Sequence, residues 1–443
     1  MSEVVKESSI DNLYGVAKES AKEEWKHYNS KYINLSIDYP RQVSTVVNKV
    51  MCVPSNISTP VGVFVCNLLA LKESFVLSYP RKSGGVIPKQ YNKRKLSSRK
   101  IVASADWLVA NGYAEEQRGR ASSIEELRSS STLWPTPKLL TLFENNIINY
   151  LAESYIVNNN PIILKDKNKK EIDYRDNNFT RDIKELMQTL NASNSLHVFK
   201  DSTGKVIDCS SLTRIFNEDW AYGGRLYRTE AQQIKNNGVE REESRLGITI
   251  DGMSVIEVDY CNLHAMLLCA IEGIHPDKFS GDMYKSVLSH ANVPVKPIDR
   301  SLIKKSFSAM LNSESPRQAM QAIQGIINAN GSGVYSFKSG AVVWNLIYHA
   351  LPEFQKYFDA PDRIGMRLQR ADSDMCCIVC SRFASKGLPI IPIHDSMLVL
   401  DRDGTELIQE MANAFKLVTQ VGAHWPIFLK VESLYFPDEL IVM

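Results

Sequence analysis

The sequence predicts an α+β protein of several domains, and three observations carry that expectation. Two apolar, strand-like runs, at residues 254–260 and 388–400, each deliver a carboxylate within a hydrophobic stretch. Between them, residues 299–311 read as a helix with Arg300 and Lys304 on one face. Upstream, residues 59–145 read as two helices followed by two short strands, so the mixed texture recurs on a smaller scale.

Composition sets the outer limits. A chain of 443 residues with 44% hydrophobic and 23% charged content suits an ordinary globular protein of two or three domains. The formal charge of +2 says nothing about partners, but its distribution does. Residues 81–100 hold eight Lys or Arg and no acid, which is either a solvated face or the footprint that a phosphate backbone requires. The N-terminus, with Glu3, Lys6 and Glu7, lacks the basic-then-apolar layout of a signal peptide. No window of about 18 residues is apolar throughout, so no membrane partner is expected. Eight scattered cysteines suit a reducing cytoplasm, and Cys377-Ile-Val-Cys380 reads as buried thiols of an apolar helix because no second pair accompanies it.

The elements follow in order. Residues 1–58 read as a helical arm. In 59–145, a helix over 61–74 leads through the basic stretch to Ser97 and Ser98, both suited to capping a helix. The next helix sets Ile101, Ala105 and Leu108 on one face and stops at Asn111-Gly112. Residues 113–119 and 132–139 then form two strands around a tip bearing Arg118, Arg120 and Arg128. This order resembles a winged helix-turn-helix, which would lay the helix starting near Ser97 in a DNA groove, with Arg94, Lys95, Arg99 and Lys100 on the nucleic acid. The alternative is a winged helix used only for packing or protein contacts. Residues 146–215, with an Asn158-Asn159-Asn160-Pro161 turn, read as a helical connector or thumb, and 216–443 carry the informative residues.

The chemistry begins with Ser254-Val-Ile-Glu-Val-Asp259-Tyr260 and with the run holding Ile393-His394-Asp395-Ser396. Carboxylates from two neighbouring strands can hold two Mg2+ ions about 4 Å apart, the arrangement that activates an attacking oxygen and stabilises a leaving one in phosphoryl transfer. Arg300 and Lys304, four apart, share one helix face and suit a triphosphate as fork and point charge, although such a pair is commonly only a solvated face. In Asp219-Trp-Ala-Tyr-Gly223-Gly224-Arg225 the glycines permit close backbone approach, and Arg225 can reach a groove or a phosphate.

The succession Gly-Gly-Arg, Val-Asp-Tyr, Arg-x-x-x-Lys and His-Asp, over about residues 216–400, resembles the motif series of family A DNA polymerases and single-subunit RNA polymerases. Leu368-Gln369, opening a helix before the His-Asp strand, looks like the family's template-contacting helix. The resemblance implies a right-hand polymerase with an antiparallel palm, fingers at about 275–360 and a thumb before 210. It implies that Asp259 and Asp395 bind two Mg2+ (or Mn2+) ions, with the carbonyl of Tyr260 completing one shell. Arg300 and Lys304 would bind the incoming nucleoside triphosphate, Lys304 also donating a proton to pyrophosphate. Arg225 and Gln369 would contact the template-primer minor groove, and His394 would lie beside the primer terminus.

The sequence also departs from the family. His264 stands where a Glu usually blocks the ribose 2'-hydroxyl, and Ser396 stands where DNA polymerases usually have an acid. The aromatic expected four residues after the fingers lysine is Ser308, with Phe307 one place early as the nearest nucleotide contact. DNA synthesis is favoured, and RNA synthesis or priming stays open. No Asp-x-Glu occurs, so the opening motif of a proofreading exonuclease is missing, and no G-x-x-x-x-G-K-[ST] loop argues for an ATP-driven motor. The expected partners are DNA or RNA template-primer, nucleoside triphosphates and replication accessory proteins. A reading from another class is a DNA-binding replication or regulatory protein whose palm is a relic.

Overall fold

The computed structural model describes residues 30–35, 37, 39–70, 76–81, 91–119, 131–143, 146–151, 160–234, 238–279, 282–331, 333–359 and 363–443. Outside these lie most of the expected N-terminal arm, the end of the first expected helix (71–74), Lys82 and Lys89 of the basic block, Arg120 and Arg128, and the turn residues Asn158 and Asn159. The chain divides into two compact units. The first comprises residues 1–214, 227–255 and 384–391, the second 215–226, 256–383 and 392–443. Both mix helix and sheet, so the protein is α+β.

In the first unit, β1 (Ser30–Tyr32), β2 (Val76–Tyr79), β3 (Ala114–Gln117) and β4 (Ser131–Pro135) form a four-stranded sheet in the order β1-β2-β4-β3. β1 runs parallel to β2, and the other neighbours are antiparallel. Helices α1 (Ser58–Leu69) and α2 (Ser98–Ala110) pack with this sheet. α1 is buried from Pro60 to Leu69, as befits a helix apolar on every side. Its one polar exception does structural work. The Asn67 Oδ1 accepts the Asn34 N–H at 2.7 Å, and its Nδ2 donates to Asn34 O (3.0 Å) and Val63 O (2.7 Å). One side chain thus pairs both backbone groups of Asn34 where water is excluded. Asn67→Ala is expected to cost about 1–3 kcal/mol, seen as a lower urea midpoint at unchanged slope.

α2 starts and stops on local signals. Ser97 Oγ accepts the Lys100 N–H at 3.3 Å, Ile101, Ala105 and Leu108 are buried, and the N–H groups of Gly112 and Tyr113 return to the carbonyls of Val109 and Leu108. Two expectations are corrected. The second hairpin strand ends at Pro135, because Pro137 opens a short helix (Pro137–Leu140) at a position that needs no N–H donor. The stretch expected to be helical over 146–215 also contains strands Ile162–Lys165 and Phe199–Lys200 around one long helix, α3 (Asn178–Ser195). α3 begins with a reciprocal cap, each side chain of Asn177 and Thr180 accepting the other's backbone N–H at 2.9 Å.

The second unit holds most of the hairpin of β5 (Thr213–Asn217) and β6 (Asp219–Tyr227), then residues 256–260 of β7 (Met253–Tyr260). β8 (Ile391–Ile393), β9 (Ser396–Leu400), β10 (Phe428–Ser433) and β11 (Glu439–Val442) join β7 in the order β8-β9-β7-β10-β11. β7 and β10 run antiparallel, with Glu257 opposite Glu432 and Asp259 opposite Lys430. Residues two apart on a strand share a face, so these four side chains project from the same side of the sheet.

The helices of this unit are α4 (Leu263–Glu272), α5 (Met283–Leu288), α6 (Asp299–Asn312), α7 (Pro316–Ala329), α8 (Gly340–Ala350), α9 (Ile364–Ser385) and α10 (Gly404–Thr419). α5 to α8 pack together, and α6 contributes Phe307 to an aromatic cluster with Tyr284, Phe354 and Phe358, at ring distances of 5.9, 6.3 and 5.9 Å. Phe307 is 1% exposed, which corrects its expected place among the nucleotide contacts. It belongs to the buried stripe of Ile303, Phe307, Met310 and Leu311, whereas Arg300, Lys304 and Ser308 follow one another at single-turn spacing along a different face. α10 is tied to β7 through Tyr260, whose hydroxyl donates to Met411 O at 2.6 Å. Cys376, Cys377 and Cys380 are buried on α9. Among the described residues, no helix is long and apolar enough to cross a membrane.

Candidate active site

Asp259 is the last residue but one of β7, and Asp395 lies in the two-residue loop between β8 and β9. The Tyr260 N–H points to Asp395 O at 3.4 Å, so the two strands meet where their carboxylates emerge. Both acids sit close to a left-handed, non-glycine backbone: His394 has φ 61° and Asn262 has φ 55°. Such residues persist only where the surrounding fold over-determines them, and they concentrate at functional sites.

The charge of Asp395 bears on Asp259. Burial first, then the charges of Asp395 and Glu257, hold the Asp259 carboxyl well above the usual carboxylate range, with Lys304 pulling it down and Glu432 adding to the rise. An acid raised in this way binds its proton more tightly when folded. The contribution of this one group to the stability of the metal-free fold is therefore full below the unfolded carboxylate pKa of about 3.9 and is lost as pH climbs from there through the raised folded value. Asp259→Asn removes that titration. The variant is expected to melt above the wild type at neutral pH in EDTA and to lose that advantage toward pH 4, which calorimetry across this range checks.

Two cations come from α6. Lys304 is exposed and faces Asp259 closely enough to shift it. Arg300 donates from Nε to Asp282 Oδ2 at 2.7 Å and from Nη2 to Asn262 Oδ1 at 3.4 Å, and it lies 5.5 Å from the centre of the Tyr284 ring. The other oxygen of Asp282 caps α5, accepting the N–H groups of Tyr284 and Lys285 at 3.1 and 3.2 Å. Cys261 reports on the same pocket: burial and Asp259 push its thiol up, while Lys304, Lys430 and Arg300 pull it down. The structure thus brings Asp259, Asp395, Arg300 and Lys304 together.

A second cluster surrounds Arg225. Gly223 and Gly224 adopt φ 72° and 80°, and a Cβ on Gly224 would lie 2.9 Å from the Phe216 ring and 3.0 Å from Ser373 Oγ. Only glycine fits this approach to α9. Arg225 then chelates Asp372, its Nε lying 3.2 and 3.1 Å from the two carboxylate oxygens and its Nη2 bonding Oδ2 as well. His264 Nε2 lies 3.0 Å from the same Oδ2. Asp372 is 1% exposed and joins β6, α4 and α9. Gln369 precedes it by about one turn of α9 and is half-buried.

Sequence reasoning missed Asp372, Asp282 and Glu257. The last is 2% exposed, on the same strand face as Asp259, and accepts a hydrogen bond from Ser396 Oγ at 2.6 Å. The Tyr260 side chain is buried beneath the sheet, so only its backbone is available to the site. His394 is half-buried in the loop before Asp395. In the first unit, Lys95, Arg99 and Lys100 are exposed at the start of α2. Arg94 is corrected: its guanidinium stacks 4.6 Å over Tyr39 and donates to Ile37 O at 3.0 Å, serving its own unit.

Among the described residues, no group of three or more His, Cys, Asp or Glu side chains is arranged to hold a metal ion. The donors at the strand ends are two carboxylates and nearby backbone carbonyls. Hard oxygens in that number suit Mg2+ or Mn2+, which are commonly held by one or two carboxylates with substrate phosphates and water supplying the rest. The repulsion that lifts Asp259 is of the kind that a divalent cation relieves.

No protein-family model matches the chain, and no curated protein matches it. Among solved structures it is similar to the POL domain of Pol1 from M. smegmatis in complex with DNA primer-template and dNTP, at 15% sequence identity and a TM-score of 0.37. The match covers 57% of this chain and 51% of that one, so the chain spans about half the length of that structure. A likeness this slight adds no weight to the side-chain geometry.

Proposed function

We propose that the second unit is the catalytic body of a template-directed nucleotidyltransferase, a right-hand polymerase with β7 to β10 in its palm and α5 to α8 as its fingers, favouring DNA synthesis. The observation that carries this reading is the meeting of the Asp259 strand end and the Asp395 loop, from distant stretches of the chain, with the charges of Asp395 and Lys304 both bearing on Asp259. Asp259, Asp395 and the carbonyl of Tyr260 are the groups that would hold Mg2+ or Mn2+. When bound, such ions activate a primer hydroxyl and offset charge on the leaving oxygen.

The chain's own residues do the remaining work. Arg300, oriented by Asp282 and Asn262, offers a fork to phosphate oxygens. Lys304 is an exposed ammonium that binds the same charge and can pass a proton to departing pyrophosphate. Arg225 is engaged by Asp372 and does not serve the template-primer contact expected of it; Gln369 and His394 would meet the template-primer, while His264, held by Asp372, would meet the nucleotide. In the first unit, the strand order β2-β4-β3 with α1 and α2 supports a winged helix whose Lys95, Arg99 and Lys100 meet phosphates at a helix start.

The test is incubation of purified protein with primer-template, Mg2+ and either dNTPs or NTPs. Elongation with dNTPs is expected. Product from NTPs alone moves the reading to RNA synthesis, and no product from either, with or without primer, overturns it.

A further inference from the structure

Glu257 is a buried carboxylate that the chemistry above leaves without a role. It lies two residues before Asp259 on β7, and that spacing turns both side chains to one face of the sheet. Across the sheet it stands opposite Glu432, and Asp259 stands opposite Lys430. On its other side, Ser396 Oγ donates to Glu257 Oε1 at 2.6 Å, and Ser396 directly follows Asp395. Glu257 therefore sits behind both acids, bonded to the neighbour of one and aligned with the other, while only 2% of it reaches solvent. A carboxylate placed behind two further acids adds to the negative potential that a divalent cation at their ends would meet.

We infer that Glu257 is a positioning residue for divalent cations: from behind the strand ends, its charge strengthens their retention between Asp259 and Asp395. The inference rests on the polymerase reading given above and deepens it. Glu257 touches neither substrate nor product. It acts on the two acids in front of it, as outer carboxylates do in other metal sites, where their loss weakens metal affinity about ten- to a hundredfold.

The variants Glu257→Gln and Glu257→Asp separate charge from hydrogen bonding. Gln keeps an acceptor for Ser396 but carries no charge, whereas Asp keeps the charge on a stem too short to hold the bond. Binding of Mn2+ to the full chain, followed by the paramagnetic resonance of the free ion, is the direct readout. Glu257→Gln is expected to weaken Mn2+ binding about tenfold or more. Its elongation rate should recover as Mg2+ is raised, and Glu257→Asp should bind within a few-fold of wild type. The reverse order, Gln near wild type and Asp impaired, means that Glu257 only anchors Ser396, and it overturns the inference. If Glu257→Gln does not fold, impaired binding by a folded Glu257→Asp overturns it equally. A wild type that elongates primers while Glu257→Gln binds Mn2+ normally sinks this inference alone. A wild type that neither binds Mn2+ nor elongates sinks the underlying reading with it.

Discussion

In single-turnover primer extension, Asp395→Asn is expected to slow nucleotide addition by at least about a thousandfold. The amide matches the carboxylate in size, and the loop that carries it is held by its neighbours: Ser396 remains bonded to Glu257, and the Tyr260 N–H meets the Asp395 backbone rather than its side chain. What the variant loses is one full charge on the groups proposed to hold the cations. Several kcal/mol of transition-state stabilisation depend on that charge, and each 1.4 kcal/mol, roughly, is tenfold in rate. In EDTA at neutral pH the variant should melt no lower than the wild type, because the substitution relieves the repulsion on Asp259, and this separates lost chemistry from lost fold. A rate within a few-fold of wild type would remove Asp395 from the metal site.

Asp372→Ala is expected to have the largest effect on stability, about 3 kcal/mol, at the low end for breaking a buried ion pair because Arg225 keeps 19% of its side chain exposed. The carboxylate is chelated by Arg225 and bonded to His264, so its removal leaves two cationic or polar heads without that shared acceptor. A double-mutant cycle is the appropriate measurement. Arg225→Met in the Asp372→Ala background should recover part of the loss, since the guanidinium then no longer needs a partner in a desolvated place. A denaturant midpoint unchanged by Asp372→Ala would show that the trio contributes nothing to the fold.

Local signals were the legible ones. The cap at Ser97, the stop at Asn111-Gly112 and the apolar face of α2 are set by residues within a turn or two of one another, and the structure follows them. Pro137 was a local signal overlooked: a proline opening a run of apolar residues marks a helix start as readily as a strand end. Phe307 was misplaced because counting from Lys304 ignored the helix face, and its spacing from Ile303 and Met310 assigns it to the core. Asp372 and Glu257 escaped because their partners lie far away in the chain. Each nonetheless left a trace. Asp372 falls four after Leu368 and three before Met375, on the buried stripe of its helix, and Glu257 interrupts an apolar strand two places before another acid. A charge on a core-facing position implies a partner without naming it.

The joining of β7 and β9 has a consequence for how the protein comes to be active. β7 carries one acid and the loop entering β9 the other, and the segment between them contains α4 to α9. Closing so long a connection is slow relative to forming the helices within it. Helical signal should therefore return early after dilution from denaturant, while the capacity to capture Mn2+ lags behind. A nascent chain would bring Asp395 to Asp259 only once β9 has been synthesised and has found its place beside β7.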